Sequence, residues 1–328
     1  MQLPAVVGAS APYQNTADMR TRGWELSVNW RDQIGKVGYR VGFNLSDSQS
    51  KIVKYNSNES GILTSTLSNG STFWNYYEGK DLGEIWGYEY DGFYTVDDFT
   101  DTSSWKLKEG VPSIDGYNPR PGDVKFKNLK DDDRGTNMIS SGDNTVSNPG
   151  DRKVIGNNTP RYLYGITLGA NFKGFDLNVF MQGTGKRDAW IANNLKFPLY
   201  SDFKFIALYK DLGNYWKPVD AANGDYTAAN PNAEFPRIYG NYGNQGSNYR
   251  QSDKYLSDAS YFRIKNVTLS YTFPKAWITK ASLSQLKAFV SIENLATFSS
   301  LPKGIDPETL SWNYPAFRTV SFGLNVTL

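Results

Sequence analysis

Neither cysteine nor histidine occurs anywhere in the 328 residues. Their absence removes disulfides, thiol nucleophiles, histidine-based triads and zinc centres built on those ligands, and with them much of the enzyme repertoire. A charge excess is missing too. Lys and Arg number 35 against 33 Asp and Glu, a net charge of +2, and no basic run supplies the footprint of a nucleic-acid-binding surface. Mean hydropathy is −0.54, and no apolar run approaches the roughly 18 residues of a membrane-crossing helix. A transmembrane β-barrel escapes that exclusion, because its alternating strands average out in a hydropathy window. The opening MQLPAVVGASAPYQN lacks a basic region followed by an apolar core. No signal peptide is read there, and an exported chain of this sequence is expected to be processed or partial.

What is present is aromatic and glycine-rich: 22 Tyr, 18 Phe, 9 Trp and 30 Gly. The last ten residues, TVSFGLNVTL, put Val320, Phe322, Leu324, Val326 and Leu328 on one face and small or polar residues on the other. That strict period of two marks a half-buried strand, and by itself it fits an outer-membrane barrel or a soluble sandwich equally. The same alternation recurs in Trp24, Leu26, Val28 and Trp30 and in Val37, Tyr39, Val41, Phe43 and Leu45. Two further runs, 161–173 and 175–187, flank Lys173-Gly174 as a tight hairpin. In 259–273 the apolar phase slips by one residue near Lys265, as a β-bulge would require. Strands are therefore expected over 20–32, 37–49, 161–173, 175–187, 259–273, 284–297 and 317–328.

Between these runs lie stretches far longer than an ordinary connection of about 4–6 residues, chiefly 51–160 and 188–257. The first is crowded with Trp and Tyr. Its acidic run Asp131, Asp132, Asp133 precedes Gly135, but Arg134 occupies the position where a calcium loop needs a ligand. Solvated carboxylates are expected there, with no metal and no cofactor. Residues 195–216 show some helical spacing through Phe205, Leu208 and Leu212.

If successive strands alternate in direction, the short turns at 33–36, 173–174 and 274–283 fall on one side and the long connections on the other. A sandwich has no reason to sort loops by parity, whereas outer-membrane barrels keep short periplasmic turns and long extracellular loops. The expected fold is therefore all-β, an antiparallel transmembrane β-barrel portion of about 7 to 8 strands. An odd strand count starts the chain at the wrong face for a complete bacterial barrel, which implies strands upstream.

Segments NTADMRTRGWELSVNW (15–30), GEIWGYEYDGFY (83–94), PGDVKFKNL (121–129), DRKVIGNNTPRYLYGITLGANFKGFDLNVFMQGTGKRD (151–188), SDASYFRIKNVTLSYTFP (257–274), SIENLATFSSLPKGIDPE (291–308) and FRTVSFGLNVTL (317–328) resemble, in order, the C-terminal portion of SusC/RagA-type TonB-dependent outer-membrane transporters of Bacteroidetes. LKDDDRGTN departs from the family's usual D-x-N-x-D-G run, and Leu328 stands where members commonly end in Phe. The resemblance implies a 22-stranded barrel with a plug, an outer-membrane location and import of oligosaccharide or peptide. It also implies a SusD-like lipoprotein lid, energy from TonB through an N-terminal part, and no enzymatic activity. In that frame 51–160 and 188–257 are long extracellular loops. Trp74, Trp86, Tyr88, Tyr90 and Tyr94 could stack on sugar rings or meet the lid, and Asp91 or Asp97 could take hydroxyl hydrogen bonds. The competing role for these rings is structural, since a loop of such length needs a core of its own. A soluble β-sandwich carbohydrate-binding or adhesin module is the alternative fold.

Overall fold

The computed structural model describes residues 15, 17–67, 72–114, 116–130, 137–191, 197, 210–239, 247–279, 282–310 and 316–328. Seven long strands make one antiparallel sheet, each paired with its neighbour in sequence. They are β1 (Ala17–Ile34), β2 (Val37–Tyr55), β3 (Arg161–Phe172), β4 (Phe175–Lys186), β5 (Tyr261–Thr272), β6 (Gln285–Ser299) and β7 (Thr319–Thr327). All seven expected runs are strands, and the first two reach further up than their periodicity suggested.

The alternation in each strand is in register with the next. Trp30 lies opposite Val41, Val41 opposite Leu168, Leu168 opposite Val179, Val179 opposite Val267, Val267 opposite Ile292, and Ile292 opposite Val320. This apolar row crosses the whole sheet. The parallel row on the other face runs Asn29, Gly42, Thr167, Phe180, Asn266, Glu293, Thr319. Opposed residues share a face, so the sheet has one oily and one mostly polar side. Among the described residues no second layer covers the oily side, where Phe322 is 81% and Leu324 67% exposed. A sandwich would bury that surface between two sheets. A barrel turns it to lipid.

The expected slip in β5 is present. Met181 pairs with Ile264 and Phe180 with Asn266, so Lys265 has no partner in β4; the pairing with β6 breaks at the same place, where Asn294 and Leu295 of β6 face the single Lys265. One extra residue re-phases the strand: Arg263 and Asn266 share the polar face, and Ile264 and Val267 the oily one.

Turns sort by end as parity requires. Lys173 and Gly174 both adopt positive φ (46° and 89°), the two-residue geometry that matches strand twist in a hairpin. A short helix, α1 (Lys275–Ile278), joins β5 to β6. At the opposite end lie the three long connections; the first two carry short strands and apolar clusters of their own, and the third packs Leu301 and Ile305 against Ala189, Ile191 and Ala259 of the second. The acidic run 131–136 and most of the helical spacing at 195–216 fall outside the described residues. The part of the latter that is described forms a single turn, Lys210–Leu212.

Candidate functional site

The first long connection folds on itself. Glu84–Tyr88 pairs with Arg152–Asn157, and Tyr90–Phe93 with Val124–Phe126. Tyr88, Ile114, Val124, Phe126 and Ile139 form its core, with Tyr90, Phe93 and Tyr117 against it. Two buried aspartates tie the irregular backbone around that core. Asp151, fully buried, accepts N–H bonds from Leu129 (2.6 Å), Lys130 (3.0 Å) and Ser140 (2.7 Å). These satisfy donors that no ladder serves.

Asp123 joins this loop to the second one. Its Oδ2 accepts from Tyr117 Oη (2.6 Å), Arg120 N (2.8 Å) and Tyr239 Oη (2.5 Å), and its Oδ1 from Asn248 Nδ2 (3.0 Å). Burial pushes the carboxyl up, against the downward pull of the tyrosine and asparagine donors. Burial likewise raises the Tyr117 and Tyr239 hydroxyls, with the Asp123 charge adding to it. Gly122 takes φ +89°, and an added Cβ would stand 2.4 Å from the Trp216 ring; only glycine permits both the turn and that approach. Tyr88 N donates to Gln251 O (2.9 Å), Trp74 Nε1 to Gln251 Oε1 (3.2 Å) and Tyr90 N to Asp253 Oδ1 (2.8 Å). The two loops thus pack as one body, the second contributing its own stack of Phe197 on Tyr249 (4.6 Å between centroids).

The six residues singled out in the sequence divide by burial. Trp86, Tyr88 and Tyr94 are buried. Trp86 Nε1 donates to Tyr77 Oη (3.1 Å), and Tyr94 Oη to Pro112 O (2.5 Å). Trp74 is half-buried against Leu63, Tyr77 and Trp86. Tyr90 is half-buried, and Asp91 is exposed. Asp97 also lies exposed, in a separate turn at Val96–Asp98. The strand Tyr90–Phe93 is therefore where the candidate residues meet solvent.

Around it the structure assembles a group that the sequence did not suggest. Glu89 is bridged by Lys127 and Lys153, whose hydrogen bonds hold its carboxyl at about 2. Lys254 Nζ sits over the rings of Tyr90 (4.2 Å) and Phe93 (4.6 Å). Partial burial, helped by the Asp91 charge, pushes the Tyr90 hydroxyl up to about 12. Two ring faces, three ammonium groups and the carboxylates of Glu89, Asp91 and Asp253 thus share one outer surface. Such a mixture can hold a polar ligand by stacking and hydrogen bonds. Among the described residues no group of acidic side chains is placed to hold a metal ion.

The third connection is pinned to the sheet. Arg263 Nη2 donates to Asp306 Oδ1 (2.9 Å), Nη1 lies 3.0 Å from Glu308 Oε1, and Lys265 Nζ is 3.3 Å from Glu308 Oε2. Gln182 Nε2 adds a bond to Glu308 Oε1 (2.8 Å).

No protein-family model matches the chain. Relatives do. TonB-dependent receptor P3 of Formosa agariphila is 28% identical, over 99% of this chain and 30% of the receptor. TonB-dependent receptor SusC of Bacteroides thetaiotaomicron is 23% identical, over 95% of this chain and 27% of the receptor. Among solved structures, the RagAB peptide transporter superposes with a TM-score of 0.62 at 20% identity, over 99% of this chain and 31% of that one. The chain thus spans about 30% of the length of these curated relatives.

Proposed function

We propose that this chain, related over almost its whole length to SusC/RagA-type TonB-dependent receptors of the outer membrane, supplies barrel wall and outer loops to an importer of nutrients. The observation that carries the reading is the single seven-stranded sheet, oily on one side, whose long connections all gather at one end. That end faces outward and the short turns face the periplasm, as membrane barrels arrange them. The packed loops 51–160 and 188–257 then form the outer vestibule, and the surface around Tyr90 and Asp91 meets the cargo or a SusD-like lipoprotein lid. Oligosaccharide suits the half-buried rings of Tyr90 and Phe93. Peptide suits the alternating charges, and the RagAB likeness is to a transporter described as carrying peptide. TonB engages through parts of the receptor beyond this chain.

The test is uptake. Cells lacking the receptor are complemented with the wild-type gene, or with Tyr90→Ala/Asp91→Ala, and offered labelled oligosaccharides and peptides with and without an uncoupler of the proton gradient. Energy-dependent uptake of one class, restored by the wild type and reduced several-fold by the double variant, supports the reading. Complementation that makes no difference to either class refutes it.

A further inference from the structure

On β1 the outward column does not stop at the oily band. Trp24, Leu26, Val28 and Trp30 share their face with Arg22 and Arg20, the next two positions up the strand. The pairing places Arg22 opposite Gln49 and Arg20 opposite Lys51. Arg20, Arg22, Gln49, Lys51, Val53 and Asp81 line one open concavity of about 310 Å³. We propose that this concavity is a binding site for a phosphorylated glycolipid of the outer leaflet, one whose acyl chains lie along the apolar column below it. The proposal rests on the outer-membrane reading given above.

Three observations carry it. First, two cations stand directly across from each other at Arg20 and Lys51, an arrangement that costs stability unless an anion sits between them. None of Arg20, Arg22 and Lys51 makes an ion pair among the described residues. The one acid in the lining, Asp81, lies across from Lys51 on its other side, forms no ion pair with it, and accepts a hydrogen bond from Gln49 Nε2 (3.1 Å). Second, the carboxylate between the patch and the oily band is already neutralised: Asp47, opposite Trp24, is paired with Arg161, whose Nη2 donates to its Oδ2 at 2.6 Å. Third, the height is right. Trp24 tops the apolar column as an interfacial aromatic would, and Arg22 and Arg20 follow at about 7 and 13 Å further along the strand, at headgroup level. Guanidinium forks match phosphate oxygens in pairs, and an ammonium adds a point charge.

The experiment uses the receptor purified from outer membranes in detergent, with bisphosphorylated lipid A as the probe and the same glycolipid stripped of phosphate as control. Adducts are counted by native mass spectrometry. Wild type is expected to hold the phosphorylated form and not the control. Arg20→Ala, Arg22→Ala and Lys51→Ala should each weaken retention roughly fivefold, as expected for a basic group at a lipid surface, while Arg22→Lys keeps most of it. Heat-modifiable migration verifies that each variant is folded. Undiminished binding by the folded triple variant, equal binding of both glycolipids, or loss of a co-purifying protein without loss of glycolipid overturns the site. A receptor that does not fractionate with the outer membrane removes the premise and the proposal together.

Discussion

Arg263, only 2% exposed, and Asp306 form a buried pair that fastens the 300–310 segment to the polar face of β5. Burial pushes the Asp306 carboxyl up, and the hydrogen bonds from Glu308 N and Arg263 outweigh it, so the group titrates lower than an ordinary aspartate. Arg263→Ala strands Asp306 without its cation and leaves Glu308 to Lys265 alone. Breaking such a pair on one side costs about 3–5 kcal/mol, enough to release the segment while the sheet persists. Limited proteolysis should then cut within 300–310 in the variant and spare the wild type; identical cleavage patterns would show that the pair holds nothing.

Deleting Lys265 tests the bulge. Without that residue either Val267, Leu269 and Tyr271 turn to the polar side or Arg263 turns to the oily one. The deletion is expected to abolish heat-modifiable migration. Lys265→Ala keeps the residue count and should assemble normally. Normal assembly of the deletion would mean that the register is set elsewhere.

Phe322 and Ser321 are neighbours on β7 with opposite faces. Phe322→Arg puts a charge among lipid tails about 7 Å below the margin at Val320, at a cost below the roughly 2–4 kcal/mol that applies at the midplane. Ser321→Arg faces the aqueous side and should be tolerated. Membrane yield and urea midpoint of the two variants check this, and equal tolerance of both would remove the two-sided character of the sheet.

Asp123 predicts a pH response of unusual sign. Its folded carboxyl titrates above the usual value of about 3.9 because burial disfavours the charge. A group raised in this way favours the folded junction at low pH. That contribution fades as pH climbs from the unfolded value through the raised one. Protection from hydrogen exchange at 117–126 and 247–249, taken relative to the intrinsic rate at each pH, should therefore be highest on the acidic side of this window. Asp123→Asn should flatten the dependence, and a flat wild-type profile would contradict the assignment.

Much of this molecule was legible before any coordinates. Seven strands, their order and the slip at Lys265 follow from the period of two, because one buried face per strand fixes the phase of every residue in it. The loops were not legible. Asp123 draws donors from Tyr239 and Asn248, and no local pattern announces a bond formed across more than a hundred residues. Nor could composition sort the aromatics: Trp86 and Tyr90 occupy similar sequence surroundings, yet one is buried beside Tyr77 and the other lies beneath Lys254. A ring serves a core and a ligand by the same chemistry, so only its burial tells the two apart.

The rows that cross the sheet are not level with the hydrocarbon. On β1 the apolar column begins at Trp24, but on β7 it begins at Val320, which stands in the row of Trp30. That descent is about 20 Å at ~3.3 Å per residue, over a lateral distance of about 29 Å at ~4.8 Å per strand. The strands must lean by about 35° for the oily margin to stay horizontal, within the lean of known membrane barrels. A belt of side chains at one depth is therefore drawn from a staircase of registers, and a substitution's depth has to be counted from its own strand's margin.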